Sequence, residues 1–391
     1  MPFPKEWTPE NALFWLDAGQ RAFFDEIRGL ARRELVPLEN HEPRVNRPLL
    51  AALGRTGLLT RLFPEETWKG EAGAEISAMS LCLLREGLAM ECGQAELLLA
   101  LQGLGAYPIL QAGGPRLVQT WIPPVARGEA VAAFALSEPG SGSDPASLSL
   151  RAEPVKGGWK LQGEKCWISN APEADVYTVF ARTDPDPAAG AKGVSAFVVP
   201  ATSEGLSGES TSMIAPHPIG KLFFNDVFVP RDQLLGEENR GFRVAMGTLD
   251  LFRPSVGAFA VGIAQRSLDI ALAWAREREA FGQKIGAFQS IGAKLADMHT
   301  GTQAARLLVY AAASAFDARV PRNTANAAAA KLFATENAQR VVDDAVQILG
   351  ARALVSDHPL AQLYLDVRAP RIYEGTSEIQ REILSRSLQS Q

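Results

Sequence analysis

Between Phe288 and Phe316 the inward-facing residues fall at Phe288, Ile291, Leu295, Met298, Thr302, Ala305, Val309, Ala312 and Phe316, in steps of three and four that never slip. A stripe held over that length keeps one helix face turned toward neighbours throughout, so it predicts a long helix inside a bundle. A second helix is predicted over about Asn323 to Leu349, with Leu332, Val341, Ala345, Val346 and Leu349 inward and Gly350 at its end. The first third also reads as helical: Leu13 to Glu34, stopping before Pro37; about Ala74 to Cys92; and a leucine-rich stretch from about Ala95 to Leu101. Gly103, Gly105, Pro108, Gly113, Gly114 and Pro115 punctuate the residues after Leu101. Between these regions lie Val131–Leu136, Trp159–Ile168, Val176–Ala181, Val194–Val199 and Leu222–Val229, rich in β-branched and aromatic residues and separated by turn formers. They predict a compact all-β unit, with Asp184–Lys192 as a surface loop. Helices, strands, then helices describe an α+β chain of three consecutive units, residues 1–130, 131–235 and 236–391, rather than alternating βαβ.

Net charge is −5, from 39 basic and 44 acidic residues with no long run of either sign, which gives no footprint for nucleic acid or an anionic membrane. Cys82, Cys92 and Cys166 make an odd count that fits a reducing interior rather than a disulfide framework. His41, His217, His299 and His358 show no metal-ligand spacing. Met1–Glu6 lacks a signal peptide's basic and apolar regions, and no apolar run approaches the roughly 18 residues of a membrane span. The expectation is a cytoplasmic protein without membrane insertion.

Four segments carry candidate chemistry. In Leu136-Ser137-Glu138-Pro139-Gly140-Ser141-Gly142-Ser143-Asp144, glycines let backbone N–H groups approach an anion and serines add donors. Pro145 stands where a dinucleotide fingerprint needs its third glycine, so that motif is excluded. Trp167-Ile168-Ser169-Asn170 sets an indole beside small polar groups, which suits a flat cofactor with a polar edge. In Ile372-Tyr373-Glu374-Gly375-Thr376-Ser377-Glu378, a glycine turn can aim the Glu374 carboxylate into a cavity ahead of a helix start. Arg278-Glu279-Ala280-Phe281-Gly282 offers a guanidinium for a pyrophosphate. Each also has an ordinary reading: a turn, a half-buried strand tryptophan, an acid at a helix N-terminus, a surface ion pair.

Taken in order, SEPGSGSD, WIS, LDLFRPSVGAFAVGIAQ, REREAFGQ with Phe288-Gln289, VQILGA and IYEGTSEIQR resemble the acyl-CoA dehydrogenase family over roughly residues 10 to 388. The resemblance implies an N-terminal helical domain, a middle β-barrel domain and a C-terminal four-helix bundle. It implies FAD as cofactor, with Phe134, Leu136, Ser137, Trp167, Ile168 and Ser169 around the flavin and ribityl chain. Ser143 matches a position near the phosphopantetheine or 3′-phosphate of an acyl-CoA substrate, and Asp250 and Arg253 match the pair that approaches that substrate. Arg278, Phe281, Gln289, Gln347 and Gly350 match positions holding the pyrophosphate and adenosine end of FAD. Several of these reach a neighbouring subunit's cofactor, so the resemblance also implies a homodimer or homotetramer. Thr376 and Glu378 would close over the flavin, with Tyr373 and Gly375 beside the substrate.

Glu374 matches the base that takes the α proton while flavin N5 accepts the β hydrogen as hydride. The alternative base position in some relatives is Phe252 here, which takes no proton. Leu97, Leu98, Ala100, Leu101 and Leu104 match the floor of the acyl pocket, and their bulk favours a short, medium or branched acyl group. The expected electron acceptor is an electron-transferring flavoprotein. Met213–Gly220 departs from the family's LGxRxSxT pattern, and Ala351 replaces a frequent glycine. An oxidase, a lyase-like or desulfinating relative, and a non-catalytic acyl-CoA-binding protein are the rival readings.

Overall fold

The computed structural model describes residues 16–70, 75–321 and 323–389. The predicted helix starts at Leu13 and Ala74, and the Met1–Glu6 segment, lie outside the described residues. Among the described residues seven α-helices come first: α1 Ala18–Leu30, α2 Arg47–Arg55, α3 Leu58–Leu62, α4 Glu65–Lys69, α5 Ala78–Glu91, α6 Gly93–Ala112 and α7 Pro115–Ala126. Asp17 and Gln20 form a reciprocal cap at α1, and the Asn46 side chain accepts from Leu49 N–H to start α2.

Helix α6 runs well past the predicted Leu101, through Gly103, Gly105 and Pro108, to Ala112. These glycines serve close approach rather than chain breaking. A Cβ on Gly103 would lie 2.7 Å from the Phe252 ring, and one on Gly105 would lie 2.5 Å from Ala133 N. Gly105→Ala therefore forces helix and strand apart, and urea denaturation should show a loss of about 1–3 kcal/mol with the slope unchanged. An unaltered midpoint would show that the contact yields freely.

Eight strands come next: β1 Ala132–Ala135, β2 Arg151–Val155, β3 Gly158–Ser169, β4 Val176–Arg182, β5 Val194–Pro200, β6 Leu206–Ser210, β7 Ile219–Pro230 and β8 Leu234–Leu235. They form one mixed sheet in the order β6-β7-β3-β2-β4-β5-β8, with β1 parallel to β4. Strands β4 and β5 are buried along nearly their whole length, as their unbroken apolar runs require, whereas the polar edge strand β6 is mostly exposed.

Helix α8 spans Gly241–Glu277 and leads through a hairpin, β9 Glu279–Ala280 and β10 Gln283–Lys284, into α9 Gln289–Asp317 and α10 Thr324–Leu349; α11 Pro359–Asp366 and α12 Ser377–Gln389 complete the chain. The predicted α9 stripe is the inner face: Met298, Thr302, Ala305, Val309 and Ala312 are buried, and Ile291, Leu295 and Phe316 pack against them. On α10 the pattern errs at one turn. Leu332 is only partly covered, and Lys331 beside it is fully buried. Helix α8 is long and apolar enough to cross a membrane by length and composition, contrary to the run-length reading, but 72% of its most apolar window is buried in protein.

Buried polar ties fasten the first helical unit to the bundle. The Glu86 carboxylate on α5 accepts from Arg306 Nε (2.7 Å) and Tyr310 O–H (2.8 Å) on α9. Asp317 accepts from the Ala78 and Met79 N–H groups at the start of α5. This carboxylate satisfies two of the helix's orphan donors and favours the positive end of its dipole.

Candidate active site

Glu374 sits in the turn between Ala369–Arg371 and α12, with φ +54°, followed by Gly375 at φ +92°. A non-glycine residue there is strained by about 1–2 kcal/mol, so something must hold it. The holder is Lys331, whose ammonium donates to the carbonyls of Tyr373 (3.0 Å) and Gly375 (2.6 Å). Gln380 adds donors to the Glu374 and Gly375 carbonyls at 3.2 and 2.9 Å. The turn's carbonyls are thus all engaged from below, while the Glu374 N–H has no acceptor among the described residues. Glu374 Oε2 is closed off from solvent and also lacks a partner. Burial raises the carboxyl's pKa, against the opposing pull of Arg85, Lys331 and Arg253. Burial likewise pushes Lys331 down to about 8, with Glu374 working against that shift.

Arg85 and Glu96, on α5 and α6, escaped the sequence reading. They form a buried ion pair at 2.5 Å, 4% and 1% exposed, with Arg85 also donating to Ser255 on α8 at 2.9 Å. The Tyr373 hydroxyl and the Glu374 carboxyl both feel this pair. The signal was a pair of charges in otherwise apolar helices, but charges eleven residues apart on different helices have no spacing rule that joins them. Arg253 and Asp250 do meet, at 2.8 Å; Asp250 also accepts from Thr324 at 3.2 Å, and Arg253 Nε is buried without a partner. A cavity of about 620 Å³ opens beside Asp250, lined in part by Tyr107, Gln111, Phe316 and Asn323. Of the expected pocket floor, Leu97, Leu101 and Leu104 are partly open, whereas Leu98 is 2% exposed and Ala100 7%. The last two are core residues: their positions on α6 turn inward.

A second cluster lies at the end of β3. A bulge between Lys165 and Ile168 in the β3–β7 pairing puts Trp167 at φ +57° and leaves its indole 57% exposed. Ser169 Oγ is in hydrogen-bond contact with His217 Nε2 at 2.8 Å. The adjoining loop is anchored by Glu138, whose carboxylate accepts from Lys165 Nζ (2.7 Å), Ser149 N–H and Oγ–H, and Leu150 N–H. Although burial pushes Glu138 up, these partners hold it below the ordinary carboxylate value. Glu138 and Ser141 exchange backbone bonds at 3.1 Å, which makes Glu138–Ser141 a tight turn. Beyond it Ser143 is exposed. Ser137 and Phe134 are half-buried, with Phe134 packed on Phe180. Ile168 and Leu136, expected at the flavin, turn their side chains into the core at 1% and 8% exposure, so only their backbones are on offer.

The remaining expected residues are elsewhere. The β sheet meets α8 at its N-terminal end, where Gly241 lies against Ser195. Glu277 stands twenty-four residues beyond Arg253 on the same helix, about 36 Å away at 1.5 Å per residue. At that far end the hairpin tip places Phe281 at φ +50° and Gly282 at φ +78°, with Phe281 96% exposed. Arg278 and Gln289 are exposed beside it. Gln347 and Gly350 end α10 at the same end, where Arg352 lies over Trp274 at 4.9 Å. Thr376 acts locally, its Oγ1 accepting from Ile379 N–H at 3.4 Å, and the Glu378 side chain is 80% exposed.

Among the described residues no group of histidines, cysteines or acids is arranged to hold a metal, and the three cysteines are free and buried.

Comparison with known proteins decides the family. Models of the acyl-CoA dehydrogenase N-terminal, middle and C-terminal domains match residues 17–129, 133–227 and 239–389. The chain belongs to the acyl-CoA dehydrogenase family. This acyl-CoA dehydrogenase is 40% identical over 387 residues to the probable acyl-CoA dehydrogenase fadE25 of Mycobacterium leprae, covering 97% of this chain and 98% of that one. Its structure is similar to butyryl-CoA dehydrogenase from Megasphaera elsdenii, with TM-score 0.88, 33% identity, and 96% and 99% of the two chains covered. It is also similar to the FAD complex of PigA, with TM-score 0.87, 28% identity, and 96% and 98% covered.

Proposed function

We propose that this acyl-CoA dehydrogenase uses FAD to convert a short saturated acyl-CoA to its trans-2-enoyl-CoA, with Glu374 as the base. The observation that carries this reading is Glu374 Oε2, closed off from solvent without a partner on a turn whose carbonyls Lys331 holds. Leaving a buried polar atom unpaired is destabilising by about 1–3 kcal/mol. A group that must face an alkyl C–H has no hydrogen-bond partner there.

Free glutamate titrates near ~4.3, far below the acidity of a C–H beside a thioester. Two features narrow that gap. Burial makes the carboxylate a stronger base. The unengaged Glu374 N–H is free to donate to the thioester oxygen, a bond that strengthens as enolate charge develops. Arg253, paired with Asp250 at the rim of the 620 Å³ cavity, is assigned to the acyl-CoA, with Tyr373 and Gly375 beside the base in sequence. Leu97, Leu101 and Leu104, matched to the floor of the acyl pocket and only partly covered, support a chain that is not long.

The residues at the β3 end fit a flavin: an exposed indole on a bulged strand with the Ser137 and Ser169 hydroxyls at its edge, Phe134 and the Leu136 and Ile168 backbones behind, and Ser143 nearer the CoA phosphates. FAD, when bound, supplies the oxidant, taking up the β hydrogen as hydride at N5. Arg278, Phe281, Gln289, Gln347 and Gly350 would hold its pyrophosphate and adenosine end. Their position at the far end of α8 supports their doing so for a neighbouring copy's cofactor, hence a homodimer or homotetramer. Thr376 and Glu378 remain assigned to the flavin's other side.

The test is anaerobic titration of the FAD-loaded protein with acyl-CoA thioesters of increasing length. Butyryl-CoA is expected to bleach the flavin more than long-chain thioesters, and electron-transferring flavoprotein to reoxidise it without peroxide. Peroxide formed rapidly in air would mark an oxidase, and no bleaching by any acyl-CoA would mark a binding protein.

A further inference from the structure

The segment Met213–Gly220, where this chain departs from the family pattern, makes a contact that no other part of the mechanism uses. Strand β3 ends on Ser169, whose backbone pairs with Ile219 at the start of β7, so the segment before β7 runs alongside the strand end. Asn170 N–H donates to the Pro218 carbonyl at 2.6 Å, and Thr211 N–H donates to the Ile219 carbonyl at 2.8 Å, fastening the segment on both sides. His217 lies between Pro216 and Pro218. Each proline fixes its own φ and restricts the residue before it, so little conformational freedom is lost in holding the histidine. His217 is half-buried, and its Nε2 is 2.8 Å from Ser169 Oγ.

We infer that His217 is a positioning residue for the flavin site: its Nε2–H donates to Ser169 Oγ and turns the serine O–H toward the face where Trp167 is exposed. The inference rests on reading the β3 end as the flavin site.

Three observations support it. A lone serine hydroxyl samples several rotamers, and one donor to its oxygen leaves the proton aimed away from that donor. The bulge that presents Trp167 ends at Ile168, so Ser169 is the first hydroxyl after the exposed indole, and it is itself half-buried. Burial drives the His217 pKa down to about 4, so the ring stays neutral, with one N–H and one lone pair, through the working range of a base such as Glu374. A tie needed only to close the sheet edge would work as well with any packed side chain at 217.

The experiment uses the FAD-loaded protein and measures the FAD dissociation constant, the visible flavin absorption bands and the flavin midpoint potential. His217→Phe, which fills the space without a donor, is expected to weaken FAD binding about three- to tenfold, the size of one hydrogen bond, and to shift the bands and the potential. His217→Gln, which restores an N–H donor, should return all three toward the parent values. In a Ser169→Ala background His217→Phe should add nothing, because the histidine acts through that hydroxyl. The inference is overturned by a His217→Phe holoenzyme with unchanged bands and potential. It is also overturned by effects of His217→Phe and Ser169→Ala that simply add. If His217→Phe does not fold, the Gln and Ser169→Ala proteins decide: Ser169→Ala must shift the bands and potential while His217→Gln keeps them near the parent values, and parental bands in Ser169→Ala overturn the inference. A parent protein that binds no FAD would defeat the flavin reading itself, and this is seen before any variant is compared.

Discussion

Glu374→Gln is expected to bind FAD normally, keep its fold, and lose dehydrogenation by on the order of 10³-fold, the typical contribution of a positioned general base. Glutamine matches the carboxyl in shape, and the αL turn depends on Lys331 and Gln380 gripping backbone carbonyls, so the substitution leaves the clamp in place. It removes the proton acceptor alone. The pH profile of the parent enzyme is set by the same burial. The base acts only when ionised, and its pKa is raised, so activity should climb with pH through a limb lying above the ordinary carboxylate range. That limb should be missing from whatever activity the variant retains. Single-turnover bleaching of the flavin by butyryl-CoA is the direct measurement. Near-parental bleaching by Glu374→Gln would take the base role from this residue.

Lys165→Met should give the largest loss of stability. The Glu138–Lys165 pair is 3% and 0% exposed, and the lysine also donates to the Leu136 carbonyl at 2.9 Å. Removing the cation leaves a carboxylate in a dry site, which typically costs about 3–5 kcal/mol. The Ser149 and Leu150 donors to Glu138 survive, so the loss should lie toward the lower end. Replacing both partners, as Lys165→Met with Glu138→Met, should recover part of it, because the uncompensated charge is gone although the Ser149 and Leu150 N–H groups lose their acceptor. Because the pair anchors the Ser137–Asp144 loop, Lys165→Met should also weaken FAD binding. Urea denaturation of the two variants checks the first claim and FAD titration the second. Equal instability in single and double variants would mean that the hydrogen bonds to Glu138 and packing, not its uncompensated charge, set the loss.

Legibility differed between local and distant relations. The α9 stripe was readable because the helix period repeats along neighbouring residues, and the short strands because β-branched and aromatic runs lie between turn formers. The end of α6 was misread because Gly103 and Gly105 are usually punctuation, while here they let Phe252 and the β1 backbone come close. Glu374, Trp167 and the Asp250–Arg253 pair stood out through sequence motifs. Arg85, Glu96, Lys331 and His217 did not, because their partners lie on other elements, at separations that no helix or strand period joins.

By itself the sequence determined the order of helical, β and helical units, the family, and which short segments carry polar groups beside glycines. It did so because those properties are local: periodicity, turn chemistry and motif order need no knowledge of what lies opposite. Only the tertiary structure decided which charges surround Glu374, which face of α6 is open, that Ile168 and Leu136 are core side chains, and that Phe281 stands a helix length from Arg253. The reason is electrostatic and steric. The basicity of a carboxyl and the reach of a side chain depend on the dielectric surroundings and neighbours that packing brings together, and chain order does not contain them.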